Sequence, residues 1–413
     1  MGSLPHISIE EIGENWPEGT YLTEIPTLPL ARQLLGPADD AIRKIKSRYY
    51  YDELPNQART RLRLGKHDRG EEYLIADGKI HDGDADGHRR HLPLHVKVMR
   101  YKNYSLEAGE VLDVTSSAAY WPGLHFREEL YVYLAIDRLV VKPGAKIMVR
   151  GNVFILDCRE IVFETDETQN QEPFAIHILG TAHAAYGSVR NSPGETGKAG
   201  LDGLNGMDGA PFIKQGSLLG PILLHGDGPP DGTDGQDGTD GTNGSNGQNG
   251  GMSMLADIRI GQLSHFKPGM LQIFGQASAG HPGGDGGDGG DGGDGGNGAD
   301  GIEGHPGGKG GKGGNAGQGG NGGFGGNGGL ASNIFIQLPA TYHDRLELIS
   351  KDSEGGEGGK AGQAGEPGQA GTNGAYAKAP QQSNGLTAES GKPGKKGRGR
   401  QGPSIILVSI PDD

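Results

Sequence analysis

Cysteine, tryptophan, positive charge and long apolar runs are all scarce in this chain. Its one cysteine, Cys158, excludes an intrachain disulfide and a cysteine-built zinc cage. Cys158 sits in an alternating apolar run, which predicts a buried small hydrophobe rather than a nucleophile. No stretch approaches the roughly 20 apolar residues of a transmembrane helix. The start, Met1-Gly2-Ser3-Leu4-Pro5, lacks the basic-then-apolar pattern of a general secretory signal. Lys and Arg number 38 against 52 Asp and Glu, a net charge of −14, which argues against a nucleic-acid partner. The one basic cluster, Lys392, Lys395, Lys396, Arg398 and Arg400, reads as a solvated turn. No G-x-S-x-G, P-loop, H-E-x-x-H or dinucleotide fingerprint is present, and the sequence predicts a non-enzymatic protein with no catalytic residues and no cofactor.

What the chain has instead is glycine: 80 residues, most of them after residue 193. They fall at every third position in runs. These are Gly194 to Gly209, Gly232 to Gly250, Gly280 to Gly328 broken at Ala316, Gly356 to Gly374, and a ragged Gly391 to Gly402. Period three is one face of a three-residue-per-turn polyproline-II helix, and a glycine face lets another backbone approach closely. Such helices lack internal hydrogen bonds, so buried N–H and C=O groups need neighbouring backbones. A flexible linker has no reason to keep the period. Collagen wants more imino acids than the Gly-Gly-Asp and Gly-Gly-Asn central run supplies, although a collagen-like trimer stays open beside an intrachain bundle. Three out-and-back excursions would give about six polyglycine-II arms, those at 283–298 and 307–329 innermost. An arm such as 283–298 would span roughly 50 Å.

The rest of the chain has ordinary globular composition. Residues 1–93 read as a lead-in with one amphipathic helix over 38–51. Asp39 and Asp40 stand at its start, and Ala38, Ala41, Ile42, Ile45 and Tyr49 share its apolar face. Residues 94–193 read as a β-rich domain, and 194–413 as the glycine-rich part interleaved with strands of a common base. Leu106 to Val114, Val141 to Val149 and Phe266 to Phe274 repeat one pattern, a tight glycine turn feeding an alternating strand. Their uneven spacing predicts a β-sandwich in preference to a β-solenoid. The expected fold is therefore mainly β, a β-sandwich-like base carrying a bundle of about six glycine helices.

The Gly-x-y and Gly-Gly-x runs separated by non-glycine loops resemble the glycine-rich adhesins at the tail-fibre tips of T-even-like phages. More distantly, they resemble the polyglycine antifreeze proteins of snow fleas. The resemblance covers about half the chain and leaves residues 1–193 unplaced. In the phage proteins the loops between glycine helices recognise the host receptor. It therefore implies binding loops at 210–225, 299–306 and 375–390, with Phe212, Ile213, Leu218, Leu219, Ile222, Ile302 and Tyr376 as candidates. The apolar content of 210–225 also fits a cap on the glycine runs. Asp82, Asp84 and Asp86 form a D-x-D-x-D-G opening that suits a calcium ion, but the twelfth position is Pro93 rather than a bidentate Glu. A polar turn explains the triad as well.

Together these features predict an adhesin on an extracellular surface or virion, presenting loops on a stiff spacer. Its partner is a cell-surface receptor or further copies of itself, in a homo-oligomer or larger assembly. A self-assembling filament or matrix subunit is the alternative, and a β-solenoid polysaccharide-active enzyme the second.

Overall fold

The computed structural model describes residues 4–12, 16–51, 74, 92–121, 124, 130–164, 172–181, 193–218, 220–226 and 228–410. From Leu94 onward the strands are dealt alternately to two sheets. β2 (Leu94–Leu106), β4 (Leu130–Val141), β6 (Val153–Phe163), β10 (Ala256–Ser264), β12 (Ile334–Pro339) and β14 (Ile405–Ile410) stand side by side, all parallel. β1 (Gly19–Ile25) adds an antiparallel edge to β2, completing a seven-stranded mixed sheet. The strands between them, β3 (Val111–Asp113), β5 (Lys146–Arg150), β7 (Phe174–Leu179), β11 (Leu271–Gln276) and β13 (Glu347–Lys351), form a five-stranded parallel sheet. The chain thus winds from one sheet to the other and back, coil upon coil, as a β-solenoid does. A separate antiparallel hairpin joins β8 (Phe212–Ser217) and β9 (Gly220–His225).

Alternation in each strand of the larger sheet feeds two cores. Val132, Leu134 and Ile136 of β4, with Phe154 and Leu156 of β6, face Ile147, Ile176 and Ile273 of the smaller sheet. The other face, Tyr131, Tyr133, Val153, Ile155 and Phe335, packs against Ala31 and Leu35 of α2 (Leu28–Leu35) and Ile42 of α3 (Asp40–Tyr51). A short α1 (Ile9–Ile12) contributes Ile12. A parallel sheet covered on both faces is the arrangement in which such strands are stable.

This corrects the expected fold. The base is not the expected β-sandwich but a seven-stranded mixed sheet and a five-stranded parallel sheet with helices on the larger one, and the glycine runs contain no α- or 3-10 helix. The uneven spacing of the repeated turns misled because it reflects what is inserted between coils. Gly109, Gly144 and Gly269 do make the corners, with φ of +70°, +73° and +81°. Their N–H groups bond Pro143, Glu172 and Arg345 at 3.0 Å, stacking corner on corner. At the opposite end, Gly151 and Asn152 close one coil between β5 and β6. The next three passages, β7 to β10, β11 to β12 and β13 to β14, run out through the glycine segments and return.

Candidate functional site

The glycine segments are held by backbone bonds between runs that recur with a three-residue period, and in 278–301 and 307–329 two N–H groups of every three donate to a neighbouring run. Outgoing runs 194–209, 278–301 and 354–375 continue the smaller sheet side by side. Gly203 N–H bonds Asp291 O at 2.7 Å, and Gly292 N–H bonds Glu366 O at 2.8 Å. Returning runs 230–250, 307–329 and 383–400 feed the larger sheet and pair likewise, Gly238 to Asn315 at 2.8 Å and Gly322 to Lys392 at 2.9 Å. Within each layer the register advances in the same direction. Between layers it runs in opposite directions, as in Gly290 to Thr239, Gly314 to Gly293 and Gly368 to Gly314. Paired sheets pack about 10 Å apart because side chains fill the gap. Here the two layers bond directly, so the gap has closed, and only bare glycine permits that. A Cβ on Gly290 would sit 2.1 Å from Leu201 O, and one on Gly289 at 2.1 Å from Gly317 O.

The residue before the glycine completes each rung. Asp202 Oδ1 accepts from Asp291 N–H at 2.9 Å, and Asp291 Oδ1 accepts from Glu366 N–H at 2.7 Å. Asp285, Asp288 and Asp294 take the N–H groups of Lys360, Gln363 and Gln369 in the same way. Asp234, Asp237, Asn321 and Asn327 do so in the other layer. Spaced three residues apart, Asp285, Asp288, Asp291 and Asp294 would on sequence alone pass for a solvated stripe. They are the side-chain half of the ladder, a role the repeated Gly-Gly-Asp/Asn pattern signals once the neighbouring run is known.

Shared register carries the three reversals to one end. Gly209 N–H bonds Asn297, Ala299 N–H bonds Pro230, and Gly301 N–H bonds Ala375. The first reversal is the β8–β9 hairpin, turned by Gly220 at φ +116°. On it Ile213, Leu218 and Ile222 are 52%, 107% and 51% exposed, and Leu224 is 43%. Phe212 lies at its root, its ring 5.9 Å from that of His305. The second reversal is closed by reciprocal bonds between Ile302 and His305 at 3.0 and 2.8 Å, with Ile302 half-buried. The third carries Tyr376, 69% exposed and at φ +60°. Of the sequence candidates, Phe212, Ile213, Leu218, Ile222, Ile302 and Tyr376 therefore stand at one end of the molecule, while Leu219 lies outside the described residues. Sequence reasoning missed Leu201, Leu204 and Met207, an exposed apolar stripe at three-residue steps along the first run.

Asp82, Asp84 and Asp86 also lie outside the described residues, and no group of three metal-ligating side chains occurs among those described. Burial pushes the Cys158 thiol up to about 12. Among the described residues, a dense cluster of charge joins α3 to the larger sheet. Lys46 Nζ donates to Asp257 Oδ1 at 2.6 Å, both side chains fully buried. Arg259 donates to Asp257 Oδ2 at 2.9 Å, Asp157 Oδ2 at 3.2 Å and Leu35 O at 2.5 Å. Burial drives the Lys46 pKa down against the pull of Asp257. Burial would raise that of Asp257, but Lys46 and Arg259 outweigh it and hold the carboxyl below its usual range. Every charge is matched, so the cluster reads as a fastening rather than a reactive centre. It corrects the helical face read from sequence: Lys46 is buried, whereas Ala41, Ile45 and Tyr49 are exposed. No described helix is long and apolar enough to cross a membrane. The chain matches no family model, no curated protein and no solved structure.

Proposed function

We propose that this is a non-enzymatic recognition protein, an adhesin of an extracellular surface or virion, whose three reversals form one receptor-binding end. The observation that carries this reading is the convergence of three loops, distant in sequence, at the end of hydrogen-bonded runs, with large apolar side chains exposed there. Large apolar side chains left exposed at one end are what an interaction site offers, and a cross-linked support holds loops in a fixed mutual geometry. The resemblance to phage tail-fibre tip adhesins points the same way. The test uses labelled full-length chain and a panel of bacterial and eukaryotic cells. Wild type attaches to some cells, and a variant with 212–225 replaced by a short Gly-Asn turn loses attachment while keeping its cooperative unfolding. Equal attachment by that variant and by variants altered at Ile302 and Tyr376 would sink the proposal.

One observation favours the filament reading. β14 and β13 are edge strands at the same end of their sheets, and open edges invite pairing. The opposite edge of the larger sheet is closed by antiparallel β1, so head-to-tail copies cannot continue the parallel order. Electron microscopy of purified protein separates the two, isolated particles supporting the adhesin and spontaneous fibres the filament.

A further inference from the structure

We propose that the β8–β9 hairpin docks on a lipid surface, placing the Leu218 apex into the headgroup boundary of an uncharged bilayer. This rests on the recognition reading above and names the chemistry of its target. The first ground is charge. Between Asp208 and Asp227 there is no carboxylate, and Lys214 is the one formally charged residue. The runs behind carry Asp202, Asp208, Asp231 and Asp234, in a chain of net charge −14. The acidity of the first run stops where the hairpin starts, while Asp300 and Glu303 of the second reversal keep the surroundings negative. An anionic membrane would repel the runs, so a zwitterionic surface is the one this end can approach.

The second ground is shape. Register sets Ile213 opposite Leu224 and Gln215 opposite Ile222, so Ile213, Ile222 and Leu224 share a face, and Leu218 caps the turn with full exposure. A specific protein interface is closely matched in shape as well as large, about 1,000 Å² or more over both partners, whereas the hairpin offers a narrow turn topped by the fully exposed Leu218. A bilayer accepts an apolar apex without a shaped pocket, and Lys214 can keep its ammonium in the headgroup layer while its stem lies along apolar surface. Both outer edges of this two-stranded sheet carry backbone polar groups. Those groups must stay hydrated, which limits entry to the turn. Phe212 against His305 fixes the root to the second reversal.

The experiment uses the full chain and phosphatidylcholine vesicles. The native tryptophans, Trp16 and Trp121, are far along the chain in the base, so a Leu218→Trp variant reports on the apex. Its emission should shift to the blue on vesicle addition, and wild type should float with the vesicles. A Leu218→Asp/Ile222→Asp variant should lose at least about tenfold in partitioning, with an unchanged unfolding curve because both positions are exposed. No flotation of wild type, or equal flotation of the double variant, overturns the lipid inference. If wild type then still attaches to cells through the hairpin, the partner is a protein or glycan and the recognition reading stands. If hairpin, Ile302 and Tyr376 variants attach as well as wild type, that reading falls separately.

Discussion

At the scale of single residues, the glycine runs obey a division of labour within each triplet. The buried glycine admits a neighbouring carbonyl, and the Asp or Asn before the next glycine accepts an N–H from the adjacent run. Gly290→Ala should cost about 1–3 kcal/mol, because its Cβ meets main chain rather than a side chain that can move. Leu204→Ala, on the exposed stripe, should stay within about 0.5 kcal/mol. Thermal unfolding of the two variants is the check, and equal losses would contradict the close-approach account. Changing Asp285, Asp288, Asp291 and Asp294 together to Asn keeps an acceptor, whereas Ala removes it. The Ala set should lose on the order of 0.5–1.5 kcal/mol per bond and the Asn set little. Faster amide exchange at Lys360, Gln363, Glu366 and Gln369 should appear in the Ala set alone. The glycine positions were legible, because period three names the side that must stay bare. The acceptor role of the aspartates was not, because it depends on which run lies next door.

At the scale of elements, α3 shows why a helical wheel misjudges a buried charge. Periodicity ranks Lys46 as polar and Tyr49 as apolar, but Asp257 in β10, remote in sequence, supplies a buried counter-charge that reverses the choice. Lys46→Met should destabilise by about 3 kcal/mol, since it strips one partner from a buried carboxylate. The pH dependence has a definite sign. The folded-state pKa of Asp257 is depressed, so its contribution is complete above the unfolded value of about 3.9 and is lost as pH falls through the folded one. The gap between wild type and Lys46→Met in denaturant unfolding should therefore be widest near neutrality and close in acid. A gap independent of pH down to the acid limit would show that packing, not charge, holds α3. The corner glycines are the opposite case. Gly109, Gly144 and Gly269 were readable as tight turns because positive φ favours glycine wherever the strands go.

At the scale of the whole molecule, two sheets and two glycine layers form one continuous object, with strands passing into runs that keep the same neighbours. Runs 278–301 and 307–329 each bond four others, whereas 194–209 and 383–400 each bond two among the described residues. Native-state amide exchange should follow that ranking, with Gly290 and Gly317 slower than Gly200 and Gly397 by tenfold or more, about 1.4 kcal/mol. Uniform exchange across the runs would mean they do not act as a cooperative unit. The sequence by itself determined where backbones approach, where coils turn and which residues alternate into a core, because steric freedom at glycine and side-chain alternation are local properties. Tertiary structure alone decided that the strands are parallel in two sheets and which run each N–H of another run finds. Those outcomes depend on hydrogen-bond partners tens of residues away, and no local periodicity encodes which partner a free N–H will find.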